Sequence, residues 1–305
     1  MVNTRAMQLK WLEDLLALAE EGSLARAAQR RHVTHPAFGR RIRALEAWAG
    51  APLIDRDAPS LRFTAHGEAV LDAARETIGA LATARRARTG EGDDGCPLHI
   101  ASGRTLARTL LPTWYARIQP LIGQRKFKVS TRELQQVAPM LESGEADFML
   151  TYFHPILALR LDARRFSYLQ LADEALIPVC GCEPDARPLH VLSRRKAAPW
   201  LSYSGGLALG LLLEDHLRNH LKPPLLRVAV ELDSADTAHE FALRGFGIAW
   251  LPRSMVAADC RLGRLVQVGD RSHEIPLQVR LYRRRQRLSP MGEALWAATA
   301  KDDGR

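Results

Sequence analysis

Phe38, Ile42, Leu45 and Trp48 recur at spacings of four, three and three residues, the period of one face of an α-helix. Thr34 stands before them as an N-cap, and Pro36 fits the first turn, where its missing N–H costs nothing. Gly50 closes the segment. Gly39, Arg40, Arg43 and, at the rim, Arg41 fall away from the apolar stripe. The helix therefore has one face for a core and one face that carries guanidinium groups.

What precedes it fits the same unit. Leu9, Leu12, Leu15, Leu16 and Ala19 form a helical stripe, Gly22 ends it, and Ser23 is an N-cap candidate for a second helix. Ala27 and Ala28 permit close approach of that short helix, and Val33 plugs the turn after it. Two short helices, a turn and a basic third helix make a helix-turn-helix. Leu53-Ile54 and Leu61-Arg62-Phe63-Thr64, around the Pro59-Ser60 turn, read as a two-stranded wing. A helix without proline runs from Ala65 to Arg88, with Val70, Ala73, Thr77, Ala80, Leu81 and Ala84 as a seam of mostly small residues near heptad spacing. Such a seam suits pairing of two helices. TGEGDDG, Thr89 to Gly95, is the one clear linker.

Charge is concentrated in this region. The chain carries a formal +9, and residues 23–62 hold eight arginines against Glu46, Asp55 and Asp57, a local +5. The 22 residues before them hold Arg5 and Lys10 against four acids. A focused basic segment points to an anionic partner, and arginine is the better reader of phosphates and guanine edges. With 305 residues the chain has room for two or three domains, and 47% apolar residues suffice for a sizeable core. Gly205 to Leu213, the longest apolar run, is too short to span a bilayer. Glu13, Asp14, Glu20 and Glu21 in the first helix are unlike a signal peptide. Four cysteines without a regular framework suit a reducing cytoplasm.

Beyond the linker, strand and helix patterns alternate. Strands are expected at Pro97–Ser102, Phe127–Thr131, Ala146–Tyr152, Ala175–Cys180, Trp200–Tyr203, Arg227–Leu232, Gly247–Leu251 and Pro276–Tyr282. Helices are expected at Leu106–Ile118, around Val137–Leu141, at Leu207–His220, up to Leu243, and at Pro290–Ala300. Alternation of this kind implies parallel or mixed sheets wrapped by helices, in two lobes.

SLARAAQRRHVTHPAFGRRIRALEAWAGAPLIDR, residues 23–56, followed by the wing and FTAHGEAVL, resembles the LysR-type transcriptional regulators. The matching features are Ala27-Ala28, Val33, Thr34-His35-Pro36-Ala37, Gly39-Arg40, Ile42, Leu45-Glu46, Gly50 and Arg56, in order over 34 residues. GFGIAWLP, Gly245 to Pro252, resembles a late strand of the same family. The resemblance implies an N-terminal all-α winged helix-turn-helix with a long linker helix, and a C-terminal α/β effector domain of two lobes like a periplasmic binding protein. The boundaries would be 7–64 for the DNA-binding domain, 65–95 for linker helix and hinge, and 96–305 for the effector domain. Lobe I would hold about 96–170 and 265–305, and lobe II about 171–264.

The same resemblance places Thr34, His35, Pro36, Gly39, Arg40, Arg41, Arg43 and, in the wing, Arg62 on DNA. This sequence departs from the family pattern at three of these positions, with Thr34 for Ser, His35 for Gln and Gly39 for Ser. His35 cannot make the bidentate amide–adenine pair that Gln can, so the base preference should differ while phosphate contacts keep the affinity. An effector cleft between lobes would draw on Ser102, Arg104, Thr105, Thr151, Ser202, Tyr203, Ser204, Phe246 and Ile248, with an anion as one candidate ligand. Ser and Thr at these points also serve as ordinary helix caps. KWLEDLLALAEEGSL, RRIRALE, GIAWLP and RLSPMGEALW look most like the hypochlorite-responsive branch, with Met140, Met149, Met255 and Met291 past the linker as thioether candidates.

Other constellations carry less. Cys180-x-Cys182 lacks zinc-ligand spacing, Cys96 and Cys260 are distant in sequence, and inert thiols are expected. His216 and His220 stand at i, i+4 without an HExxH glutamate. Ser193-x-x-Lys196 lacks its partner motifs, and Gly245-x-Gly247 is not extended because Trp250 holds the third place. No catalytic residue, cofactor or metal is expected. The expected partners are double-stranded DNA with an interrupted palindrome, a second copy through the linker helix, a tetramer of two such dimers, a small-molecule effector and RNA polymerase, with no membrane. The expected place of action is the cytoplasm, at the nucleoid. A solute-binding module with an accessory head and a non-specific nucleoid protein stand as alternatives.

Overall fold

A computed structural model describes residues 7–55, 61–87, 98–157 and 161–302, without the side chains of 76, 82–87 and 302. Arg56, the Pro59-Ser60 turn, the Thr89–Gly95 linker, Cys96 and the side chain of Ala84 lie outside what is described. The chain forms two compact units.

The N-terminal unit holds α1 (Leu9–Glu21), α2 (Leu24–Arg30), α3 (His35–Ala49), the strands β1 (Ile54–Asp55) and β2 (Arg62–Phe63), and α4 (Ala65–Ala87). Gly22 and Gly50 end α1 and α3 in the left-handed region, each N–H reaching back four residues, to Leu18 and Glu46. Ser23 and Thr34 occupy N-cap positions, but neither hydroxyl makes the capping bond. Ala27 and Ala28 are buried where α2 packs on its neighbours, and Leu12, Leu15, Leu18, Phe38, Ile42, Leu45, Leu53 and Leu71 fill the core. Two expected core residues face outward: Leu9 is 41% exposed and Trp48 is 44% exposed. Trp48 lies about 60° around the helix from Leu45, at the edge of the stripe. Trp11 and Leu18 take the corresponding space on α1.

A tight joint links the wing to α4. The Glu46 carboxylate accepts the Leu53 N–H at 3.1 Å. The Thr64 hydroxyl donates to the Pro52 carbonyl at 2.7 Å and accepts the Gly67 N–H at 2.9 Å, which caps α4. On α4, Leu71 and Ala74 are buried in the core, and Ile78 packs against it. Ala73, Ala80 and Leu81 of the expected pairing seam are exposed, and Val70 and Thr77 are half-buried.

The C-terminal unit comprises β3 (Leu98–Ser102), α5 (Arg104–Thr109), α6 (Leu111–Ile122), β4 (Phe127–Thr131), α7 (Leu134–Glu142), β5 (Phe148–Phe153), β6 (Phe166–Gly181), β7 (Ala198–Tyr203), α8 (Ala208–Asn219), β8 (Leu226–Leu232), α9 (Ala235–Leu243), β9 (Ala249–Pro252), α10 (Arg253–Arg261), β10 (Leu265–Gln267), β11 (Ile275–Arg284) and α11 (Pro290–Asp302). One sheet runs in the order β10-β6-β11-β5-β3-β4, with β9 also on β6; β7 and β8 pair in parallel beside it. β3 is parallel to β4 and β5, and every pairing of β6 and β11 is antiparallel. β6 pairs with β11 over its first part and with β9 and β10 over its last. The expected lobe edge at residues 170 and 171 therefore falls inside an unbroken strand.

Several expected elements differ. The helix expected at Leu106–Ile118 is two, parted at Leu110, because Pro112 has no N–H to continue the ladder. β6 begins nine residues before the expected strand, since pairing with β11 overrides the charged Asp173-Glu174 pair. Helix α10 was not expected; the Glu174 carboxylate, far away in sequence, accepts its Ser254 N–H.

The joint between wing and α4 gives a direct test. A Cβ on Gly67 would stand 2.0 Å from the Leu53 carbonyl oxygen. Gly67→Ala should destabilise the N-terminal unit by about 3 kcal/mol, read by denaturant unfolding of the full chain. A wild-type midpoint would show that α4 is not seated on the wing.

Candidate DNA-binding face and effector cleft

The seven described arginines of residues 23–62 divide into two sets. Arg26 and Arg30 pair with Glu21, and Arg30 also with Glu20. Arg31 pairs with Glu13 at 2.5 Å and Asp14 at 2.8 Å, and Arg41 with Asp14 at 3.3 Å. The acids of α1 thus take up four of the seven. Arg40 and Arg43 on α3 and Arg62 on β2 are exposed, and none of the three makes an ion pair among the described residues. Thr34, His35 and Pro36 are exposed at the start of α3, and Gly39 lies between them and Arg43. A Cβ on Gly39 would meet nothing within 4 Å, so packing does not require glycine there. His35, Pro36, Gly39, Arg40 and Arg43 therefore share one outward arc of α3. Arg41 does not; it is half-buried and turned toward α1.

The expected effector residues are more divided. Ser102 ends β3 fully buried, its hydroxyl donating to the Gly103 carbonyl at 3.2 Å. Arg104 and Thr105 open α5, one exposed and the other half-buried. Thr151 is buried on β5 and donates to the Tyr152 carbonyl. Ser202 donates to the Val230 carbonyl at 3.4 Å, and Tyr203 to the Trp250 carbonyl at 2.8 Å. Burial pushes the Tyr203 phenol well above its ordinary pKa, so it stays a neutral donor. Ser204 is half-buried and Phe246 exposed, its ring 5.5 Å from Phe241. Ile248, expected in a cleft wall, is completely buried in the core and bridged to Trp200.

Sequence reasoning passed over Arg108, one turn past Arg104. Its guanidinium pairs with Asp236 in the first turn of α9, whose N-cap Ser234 accepts the Thr237 N–H at 3.2 Å. This pair ties α5 to the end of the β7–β8 sheet. No local pattern signals it, because the partners are 128 residues apart. A recess of about 560 Å³, lined by Ala175, Arg253, Arg271, Glu274 and Pro276, contains none of the expected effector residues.

The sulfur atoms are mostly shielded. Cys180 donates to the His190 carbonyl at 3.3 Å and Cys182 to the Gly263 carbonyl at 2.9 Å. Burial raises the pKa of Cys180 and of Cys260, which lowers thiolate reactivity. Met149 and Met255 are buried, and Met140 and Met291 half-buried. Among the described residues no group of three or more His, Cys, Asp or Glu side chains is arranged to hold a metal ion, and no helix is long and apolar enough to cross a membrane.

Residues 90–302 match the LysR substrate binding domain, and residues 9–68 match the bacterial regulatory helix-turn-helix protein of the lysR family. The chain belongs to the LysR family of transcriptional regulators. It is a DNA-binding regulator with an effector-type C-terminal domain, the fold and function class implied by residues 23–56. It is 28% identical to the HTH-type transcriptional regulator YjiE of Escherichia coli over 95% of this chain and 93% of that one. The full-length structure of HypT from Salmonella typhimurium, a hypochlorite-specific LysR-type regulator, is 28% identical and superposes with a TM-score of 0.61 over 98% of this chain and 99% of that one. Vibrio fischeri DarR, solved in complex with DNA, is 28% identical with a TM-score of 0.59, over 97% of this chain and 99% of that one.

The regulator's histidines yield a pH prediction. His216 packs edge-on to His220 at 5.5 Å, and His220 stacks on His273 at 4.8 Å. Burial first, then the neighbouring imidazoles, lowers the His216 pKa below 6.5, and burial does the same for His154. The unfolded chain therefore binds more protons than the native one below about pH 6.5, and stability falls as pH drops through that value. Asp270, held at about 2 by the Ser272 hydroxyl and N–H, stays ionised throughout. The melting temperature should fall between pH 7 and pH 5, and His216→Gln should flatten that slope. An unchanged slope in the variant would remove His216 as a source.

Proposed function

We propose that this regulator binds a specific interrupted palindrome as a dimer, with α3 in the major groove and β2 beside the backbone. The observation that carries this reading is the arc of α3 on which exposed His35, Arg40 and Arg43, without an ion pair among the described residues, surround Gly39, beside arginines whose charge is already taken up. Thr34, Pro36 and Arg62 flank the arc. Arg40, Arg43 and Arg62 bind phosphates or base edges, and His35 reads a base edge with one donor or acceptor. The exposed Ala73, Ala80 and Leu81 on α4 supply the dimer seam. Two dimers joined through the C-terminal units form a tetramer, which acts in the cytoplasm and contacts RNA polymerase.

The signal enters the C-terminal unit, taken as residues 96–305 with two lobes. Arg104, Thr105, Ser204 and Phe246 are the expected residues with accessible surface, and Arg108 adds a second guanidinium on α5. Two arginines one turn apart suit a small anion. Ser102, Thr151, Ser202 and Tyr203 shape the walls from behind. An oxidative signal is the second reading, favoured by the likeness to YjiE and HypT. Ligand binding shifts an existing equilibrium between lobe arrangements and so the spacing of the DNA-binding units.

A footprint on the chain's own upstream region, with and without small anions and hypochlorite, tests both parts. A protected interrupted palindrome is expected, with its pattern altered by an anion. His35→Ala with Arg40→Ala should abolish protection. Protection that survives both substitutions would remove α3 from the DNA. A pattern altered by hypochlorite alone would replace the anion with oxidation.

A further inference from the structure

We propose that Asp14 is a positioning residue for DNA recognition and that Arg41 is its internal strut, not a DNA contact. The inference rests on the reading of α3 as the DNA helix.

Asp14 sits on the inner side of α1 beside Leu15 and Leu18, and it is 0% exposed. A carboxylate persists in such a place only if its charge is matched. Here two guanidiniums converge on it from different points of the chain. Oδ1 accepts from Arg31 Nε at 2.8 Å, and Oδ2 faces Arg41 Nη1 at 3.3 Å. Arg31 follows α2, and Arg41 lies in the middle of α3. One buried group therefore links all three helices. Glu13 supports the arrangement by accepting from Arg31 at 2.5 Å.

These bonds are directional, and that gives them a role the core cannot fill. Phe38, Ile42 and Leu45 hold α3 against the unit by apolar contact, which tolerates small rotations about the helix axis. An ion pair from Arg41 to a fixed carboxylate resists such rotation. At about 100° per residue, Arg40 is one step around the helix from Arg41, and Arg43 is nearly opposite it. Holding Arg41 inward thus aims Arg40 and Arg43 outward.

The two roles differ in their salt dependence. A phosphate contact releases counterions, so each one lost reduces the slope of log K against log salt by about 0.9. A strut changes aim and leaves that slope alone. The experiment uses the full chain, the upstream duplex defined by footprinting, and a scrambled duplex of equal length, with anisotropy titrations across a salt series. Arg40→Ala should weaken binding to both duplexes and reduce the slope. Arg41→Gln and Asp14→Asn should weaken binding to the upstream duplex about tenfold, leave the scrambled duplex within about twofold, and keep the wild-type slope. Arg41→Lys keeps the charge but not the planar fork, and should behave like Arg41→Gln.

If Arg41→Gln lowers the slope while Arg41→Lys binds as wild type, Arg41 touches phosphate and the inference fails. It also fails if folded Asp14→Asn or Arg41→Gln keeps the wild-type ratio between the two duplexes. Should Asp14→Asn not fold, the two Arg41 variants decide. An Arg40→Ala protein that binds both duplexes as wild type would instead remove α3 from the DNA, a failure of the underlying reading.

Discussion

Two long strands hold the C-terminal unit together. β6 leaves the half of the sheet built on β3, β4 and β5 and ends in the half built on β9 and β10; β11 returns beside it. Because both are hydrogen-bonded along their length, the halves cannot separate without breaking the ladder. The pairing is irregular at one place. The register of β11 on β6 shifts between Val279 and Arg280. There the Arg280 guanidinium stacks on Phe153 at 3.3 Å and on Tyr168 at 4.0 Å, which ties three strands at the irregular point. The Arg108–Asp236 pair spans the same unit on a different path, at its solvent-exposed side. As an exposed ion pair it stabilises by roughly 1 kcal/mol or less.

The N-terminal unit relies on the opposite kind of bond. Removing one partner from a buried ion pair costs about 3–5 kcal/mol, because the other charge is left without water. Asp14 is such a group, and its partners lie just after α2 and on α3. Ala27 and Ala28 are buried where the helices meet, and the Asp14 carboxylate joins α1 to Arg31 and Arg41. The wing joint has similar economy. Glu46 and Thr64 satisfy backbone groups at the bend, and Gly67 leaves room for the Leu53 carbonyl.

The periodic parts of this design were legible in the amino-acid order. The α3 stripe, the glycine stops, the wing and the alternating strands and helices all depend on local spacing. Long-range partners were not. Asp14 reads as one more polar residue on α1, and nothing near it announces Arg31 or Arg41. The same holds for Glu174 capping α10 and for Arg108 meeting Asp236. The start of β6 was obscured because its charged residues break the alternation while β11 supplies the pairing. Ile248 read as a cleft residue from its place in GFGIAWLP, yet a strand terminus gives no sign of which face the core covers.

Charge illustrates why counting residues misplaces function. A local +5 over residues 23–62 suggests a broad basic face. Four of its arginines are consumed by the acids of α1, so the first helix is acidic because its neighbours are basic. Inside a Debye length of about 8–10 Å, paired charges largely cancel. The charge left without an ion pair among the described residues of this segment is that of Arg40, Arg43 and Arg62. Those three sit on one helix face and on the wing, so a modest number of charges acquires direction. The basic face is thus set less by how many arginines the unit has than by which ones the acids of α1 leave without an ion pair.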